Sequence, residues 1–253
     1  MIDRYSEEIF LLNPFTGARV DLPRCNRFRI RRIELSSAPT EPNCTVIILE
    51  EAVCGFKFCR VGDDEWKVES FSPALPQNAF VFKMKLYLLC FPRHSLSDTE
   101  ATTAAANTAT HFKLVFLTRP SYSLVQSTHL VESGEELLLV IRYFEGLPYC
   151  YNDFAVFKLD IRNSSWVWMK KIGNCVLFLG DKDFGYYSPS FSATEMGCKG
   201  NQIYFQYYHY LQGPGYTWWV FNMDDRSIKP ASWNSFSVRA YSFGLIGITH
   251  SFV

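Results

Sequence analysis

The sequence predicts an all-β chain, on three observations. Aromatic residues make up 17% of the 253 residues, with 22 Phe, 14 Tyr and 6 Trp, and such rings suit pleated, half-buried surfaces. The apolar runs are short and bounded by Gly, Pro, Asp or Asn, which is the punctuation of strands. No long segment carries a convincing 3.6-residue apolar period. Hydrophobic residues (48%) outweigh charged ones (20%), so the chain can bury a sizeable core and does not read as disordered. Lys plus Arg (25) balances Asp plus Glu (25). That balance argues against a surface built throughout for nucleic acid or anionic membrane.

Taken in order, the strand-like runs are Val46 to Leu49, Leu86 to Phe91, Leu137 to Tyr143, Phe154 to Leu159, Cys175 to Leu179 and Ile203 to Tyr208. Each is too short for a typical buried helix. Residues 97–110 (SDTEATTAAANTAT) are the exception. Their alanines would allow a short helix, but their threonines and missing apolar stripe predict a low-complexity surface insertion. The opening residues, MIDRYSEEIFLLNP, carry acids and only a short apolar run, so no secretory signal is expected. No segment approaches 18 uninterrupted apolar residues, so no transmembrane helix is expected. The eight cysteines contain no C-x-x-C pair and the five histidines have no ligand spacing. Neither a metal site nor a cofactor is expected, and reduced thiols fit a cytoplasmic or nuclear protein.

A strand–polar turn–strand unit recurs four times. The copies are Leu11 to Val20, Phe58 to Val68, Phe157 to Val167 and Val220 to Ile228. Asn, Asp and Gly supply the turn geometry in each. A second unit, a polar turn followed by an apolar strand, recurs at Lys83 to Tyr87, Gly134 to Leu138 and Gly200 to Tyr204. The spacing from Asn13 to Gly62 is 49 residues, and from Gly62 to Ile161 it is 99, close to twice that. The 63 residues from Ile161 to Asp224 need a longer loop. A unit near 49 residues matches kelch-type propeller blades of four strands. The prediction is one kelch-like β-propeller domain over residues 1–253, incomplete, with about five blades. A two-sheet sandwich is the alternative, but it calls for more regular alternation.

At these residues the sequence resembles the propeller domain of plant F-box/kelch-like proteins of the brassinosteroid-signalling kinase-inhibitor type. The resemblance is carried by Leu12 to Leu22 (LNPFTGARVDL), Cys59 to Trp66 (CRVGDDEW) and Leu130 to Arg142 (LVESGEELLLVIR). It continues through Phe154 to Asp181, Gly197 to Phe205 (GCKGNQIYF) and Val220 to Pro230. Together these segments span roughly residues 9 to 232, and the middle block is the most specific. The resemblance implies a propeller that recognises substrates for a ubiquitin ligase, or regulates a kinase. Nothing helical precedes Asn13, so the family's F-box is expected to be missing, and with it direct binding to the ligase adaptor. The first hairpin of a blade is likewise expected to be missing, which would leave an open strand edge.

No catalytic constellation emerges. There is no G-x-S-x-G elbow, P-loop, G-x-G-x-x-G or H-E-x-x-H, and the chain is not expected to be an enzyme. Paired acids such as Asp63-Asp64 and Asp224-Asp225 fall in the recurring turns, where solvated acids are ordinary. Five arginines lie between Arg24 and Arg32. If this segment is a strand, Arg27, Arg29 and Arg31 share a face. They form either a docking stripe for phosphate or an acidic partner, or simply a solvated face. The aromatic run Ile203 to Phe221 offers either a stacking platform or a hairpin packed by its rings. Tyr216 is the ring best placed for a platform. The leading expectation is a non-catalytic protein-interaction scaffold. Its partner is a protein, with no nucleic acid, membrane or cofactor, and its contacts come from long loops such as residues 92–111. A carbohydrate- or small-ligand-binding propeller is the alternative, and a truncated, marginally stable relative is a third reading.

Overall fold

A computed structural model describes residues 8–13, 16–25, 30–50, 55–70, 76–83, 85–90, 113–145, 151–180, 188–208 and 216–231. Its strands group into two compact units, split at Arg119/Pro120.

Among the described residues, the first unit holds three sheets. Strands β1 (Ile9–Leu12) and β2 (Arg19–Leu22) form a hairpin. An antiparallel meander follows, of β3 (Ile30–Leu35), β4 (Thr45–Glu50), β5 (Gly55–Arg60) and β6 (Lys67–Ser70). The third sheet pairs β7 (Pro76–Phe82), β8 (Lys85–Cys90) and β9 (Lys113–Thr118). The apolar run of β4 is buried on both faces, as a strand between two packed layers must be. Val46 and Ile48 pack with Ile9, Leu11, Leu22 and Cys59. Ile47 and Leu49 pack with Phe56, Phe58, Leu86, Leu88 and Leu114. Each such side chain gains about 1.5–3 kcal/mol on full burial.

Among the described residues, the second unit holds two sheets. One is the meander β10 (Val125–Ser133), β11 (Glu136–Glu145), β12 (Tyr151–Asp160) and β13 (Ser165–Met169). The other comprises β14 (Cys175–Leu179), β15 (Ser190–Ser192), β16 (Gln202–Tyr208), β17 (Tyr216–Asn222) and β18 (Ile228–Pro230), in the order β15-β14-β16-β17-β18. Val131, Leu138, Val140, Phe154 and Val156 of the meander share one core with Leu177, Leu179, Ile203, Phe205 and Phe221. The ring of Phe154 lies 4.9 Å from those of Phe205 and Phe221.

All six expected apolar runs are strands in their described residues, Phe91 lying outside these, and all four polar turns close hairpins: β1–β2, β5–β6, β12–β13 and β17–β18. Each turn pairs a side-chain acceptor with one residue at positive φ. In the first, Asn13 Oδ1 accepts from the Thr16 amide at 3.1 Å and Gly17 sits at φ 73°. Asp63 with Gly62 (φ 95°) serves the second, and Asp160 with Ser164 (φ 50°) the third. In the fourth, Asp225 Oδ1 accepts from the Ser227 amide at 3.0 Å beside Arg226 (φ 57°). The five sheets described have two, four, three, four and five strands in chain order.

Two features lie beyond the sequence expectation. The polar turn of the Gly200–Tyr204 unit closes no hairpin between β14 and β16, because β16 runs parallel to β14, as β9 does to β8. Parallel neighbours need a crossover rather than a tight turn. For β14–β16 that crossover is β15 and a short helix, α1 (Ala193–Met196). The Ser192 hydroxyl caps the helix start, and Gly197 ends it at φ 66°. For β8–β9 the crossover is the segment 91–112, which contains the expected insertion and lies outside the described residues.

Candidate functional site

Strand alternation puts Ser127, His129 and Val131 of β10 on one face, opposite Arg142, Val140 and Leu138 of β11. The apolar members of this row enter the core, while the polar members line a small cleft with Leu179, Gly180, Phe205 and Gln206. His129 is 2% exposed. Its Nδ1 lies 2.9 Å from the Ser188 hydroxyl and its Nε2 lies 3.0 Å from that of Ser127. Hydroxyls donate and accept, so either imidazole tautomer is satisfied. Arg142 donates from Nε to Asn152 Oδ1 at 2.8 Å and from Nη1 to the Gln206 carbonyl at 3.1 Å. Its guanidinium lies 4.6 Å from the centre of the Phe205 ring. The cleft has room for about one water molecule. A hydroxyl beside an imidazole has the atoms of a nucleophile and base, and among the described residues the cleft beside it is small. The network ties β10 and β11 to the second sheet.

Two further clusters sit at the turn between β17 and β18. Asp153 is buried; it accepts from the Tyr143 hydroxyl at 3.0 Å and is ion-paired with Arg226. Asn201 is buried at φ 63°. Its Oδ1 accepts from the Ile172 amide at 2.8 Å and its Nδ2 donates to Asp224 at 2.9 Å. Lys171 and Lys199 also face Asp224, and the Lys171 ammonium, first of several causes, holds that carboxyl below its ordinary range. Neighbouring Gly200 is obligatory, since a Cβ there would meet the Gly173 carbonyl oxygen at 2.5 Å. The K-G-N stretch of the resemblance is thus a brace between the β13–β14 link and the β17–β18 turn.

Of the contact candidates, Arg27 and Arg29 lie outside the described residues, as does the loop 92–111. Arg31 lies in β3 where the register slips, with Ile30 opposite Glu50 and Arg32 opposite Leu49. Arg31 is therefore the extra residue of a β-bulge, and the simple alternation assumed for a stripe does not run through it. Arg32 is buried and paired with Glu34. Burial, the largest cause, raises the Glu34 pKa against the pull of Arg32. Tyr216 opens β17 opposite Tyr208. In the described part of the aromatic run, Tyr204 stacks on Phe178 at 4.8 Å, and Trp218 meets the same ring edge-on. Sequence reasoning missed His129, whose Ser188 partner is 59 residues away, and it missed the exposed pair Val167 and Trp168.

The described cysteines carry free thiols, and Cys25, Cys44, Cys59 and Cys90 are buried. Burial pushes Cys59 up to about 12 and Cys90 up to about 11, so both are poor nucleophiles. No helix among the described residues is long and apolar enough to cross a membrane.

Comparison with known proteins agrees with this architecture. F-box/kelch-repeat protein KIB1 of Arabidopsis thaliana is 28% identical over 194 residues, covering 71% of this chain and 47% of that protein. The chain thus spans about half the length of the curated relative it matches. The model of the KIB1-4 beta-propeller family matches residues 1–237, and so takes in all five sheets and the four hairpin turns. The chain belongs to the KIB1-4 beta-propeller family.

Proposed function

We propose that the chain is a non-catalytic protein-interaction scaffold, acting in substrate recognition for a ubiquitin ligase or in regulation of a kinase. Family membership and the F-box/kelch relative support the class. The observation that carries it is how the polar groups of the second unit are spent. His129, Arg142, Asp153 and Asn201 are all buried and bonded to neighbouring strands and turns. They brace sheets and, among the described residues, face only a small cleft. Contact with a protein then falls to loops and exposed strand edges. Within this reading Arg27, Arg29, Arg31 and Tyr216 are the contact candidates.

The test is affinity purification of the full chain from plant cells beside the triple variant Arg27→Gln, Arg29→Gln, Arg31→Gln. A stable protein partner is expected with the native chain. Recovery of none would count against the scaffold. Equal recovery with the triple variant would remove the arginines from the contact surface.

A further inference from the structure

The four repeated hairpins end in equivalent strands, β2, β6, β13 and β18, and three of them are protected against edge pairing. Strand β2 (RVDL) carries Arg19 and Asp21, ion-paired at 2.6 Å. Strand β6 (KVES) carries Lys67 and Glu69, and β18 (IKP) carries Lys229 and Pro230. Charges and proline on an outer strand are the usual defence against another chain adding itself to the sheet. Strand β13 (SWVWM) has neither, and among the described strands it ends its sheet, next to β12. It is also exposed: Val167 is 48% and Trp168 53% accessible. Trp and Val are strong strand formers.

We propose that β13 is a self-pairing edge, which joins to β13 of a second copy about a two-fold axis. Charge selects this occupant over an acidic segment. The five residues of the strand are uncharged. The lysines beside it are already matched, Lys158 with Glu136 and Lys171 with Asp224, each at 2.9 Å. The ammonium of Lys170 lies against the Trp168 ring, 5.8 Å from its centre. An antiparallel register centred on Val167 sets Trp166 against Trp168 of the copy and Ser165 against Met169. No like charges stand opposite each other within the paired strands. Cross-strand aromatic pairs of this kind stabilise a sheet, and a two-fold pairing closes as a dimer.

The test is sedimentation velocity on the full chain from about 1 to about 200 µM, since one strand pair covers far less than the roughly 1,600 Å² of a standard interface. A reversible monomer–dimer equilibrium is expected. Val167→Lys should abolish it, with circular dichroism checking the fold, whereas Val68→Lys on β6 should leave it unchanged. As an independent readout, Val167→Cys places a thiol on the two-fold axis, so oxidation should crosslink the dimer; Val68→Cys should not crosslink. A chain that stays monomeric throughout would overturn the proposal. So would a dimer that survives Val167→Lys, open-ended oligomers, or no crosslink with Val167→Cys. None of these results would touch the reading of the chain as a scaffold for other proteins, which the purification tests separately.

Discussion

The two four-stranded meanders, β3–β6 and β10–β13, solve one topology in different ways. Each begins with a register slip in its first pair, between Ile30 and Arg32 in one and between Val125 and Ser127 in the other. The β7–β8 pair repeats it between Pro76 and Asn78. A bulge in the first strand is thus a property of the repeat, and Arg31, Gln77 and Gln126 are its counterparts. The meanders differ in length and in where polar groups go. Strands β11 and β12 have 10 residues each, against 6 in β4 and β5. The additional length carries Tyr143 and Asp153 out to the Arg226 turn. The shorter meander has its own polar cluster, in which Lys57 donates to Glu50 at 2.8 Å beside the thiol of Cys25. The difference teaches that added strand length serves to lock one sheet to the next.

The largest expected effects test this difference in the cores. Phe154→Ala removes a ring that lies 4.9 Å from two others, and Phe56→Ala removes one that lies farther, 5.8 Å, from Phe58. Both fall in the range of about 3–5 kcal/mol for deletion of a buried Phe, with Phe154 at the upper end. Chemical denaturation of the full chain measures the pair. A cost for Phe56→Ala equal to or above that for Phe154→Ala would break the comparison. Next comes Asn201→Ala, expected to cost about 2–3 kcal/mol, because it strands the buried Ile172 amide and also cuts the bond to Asp224. Asn201→Asp, which keeps the acceptor but sets a carboxylate against Asp224, should also destabilise.

The hairpin turns sharpen the comparison on a smaller scale. Gly62 sits at φ 95° with open space around its missing Cβ, so Gly62→Ala should cost about 1 kcal/mol through backbone strain alone. The corresponding turn of the longer meander holds Ser164 at φ 50°. There Ser164→Gly should gain up to about 1 kcal/mol by relieving a left-handed conformation that L side chains resist. Opposite signs at the two turns are the expected result in thermal melts, and equal signs would contradict it.

Strands and turns were legible in the sequence because both are local. Apolar runs two to three turns of pleat long announce β4, β11 and β14, and Asn, Asp and Gly announce the hairpins. The family resemblance added the K-G-N block without its physical reason. That reason is the approach of Gly173 to Gly200 and the span from Asn201 to Asp224, and both are contacts between distant segments. The parallel crossovers were illegible for the same reason, since sequence order says nothing about which side of β14 the chain returns to. At Arg31 one extra residue interrupts the alternation assumed for the arginine stripe, and an alternation rule cannot register such a bulge. The exposure of Trp168 was hidden because Trp66 and Trp166, its neighbours in pattern, are both partly covered.

The smallest expected effect concerns acid, and it separates two ways of holding a turn carboxylate. Asp160 lies below its ordinary range chiefly because the Asn163 side chain donates to it, helped by the Asn163 and Arg162 amides. Asp224 is lowered chiefly by its contact with Lys171. A carboxyl whose folded pKa is depressed adds stability above its unfolded value, and that addition is lost as pH falls through the folded value. The melting temperature should therefore fall once pH drops below about 4, the ordinary carboxylate range. Both groups are exposed, so each step is small. Salt tells them apart, because it screens exposed charge pairs far more than short hydrogen bonds within one turn. Asp160→Asn should flatten the acid limb equally at low and high salt. Lys171→Gln should flatten it at low salt and do little at high salt. If salt changed both variants alike, the two turns would be held by the same force.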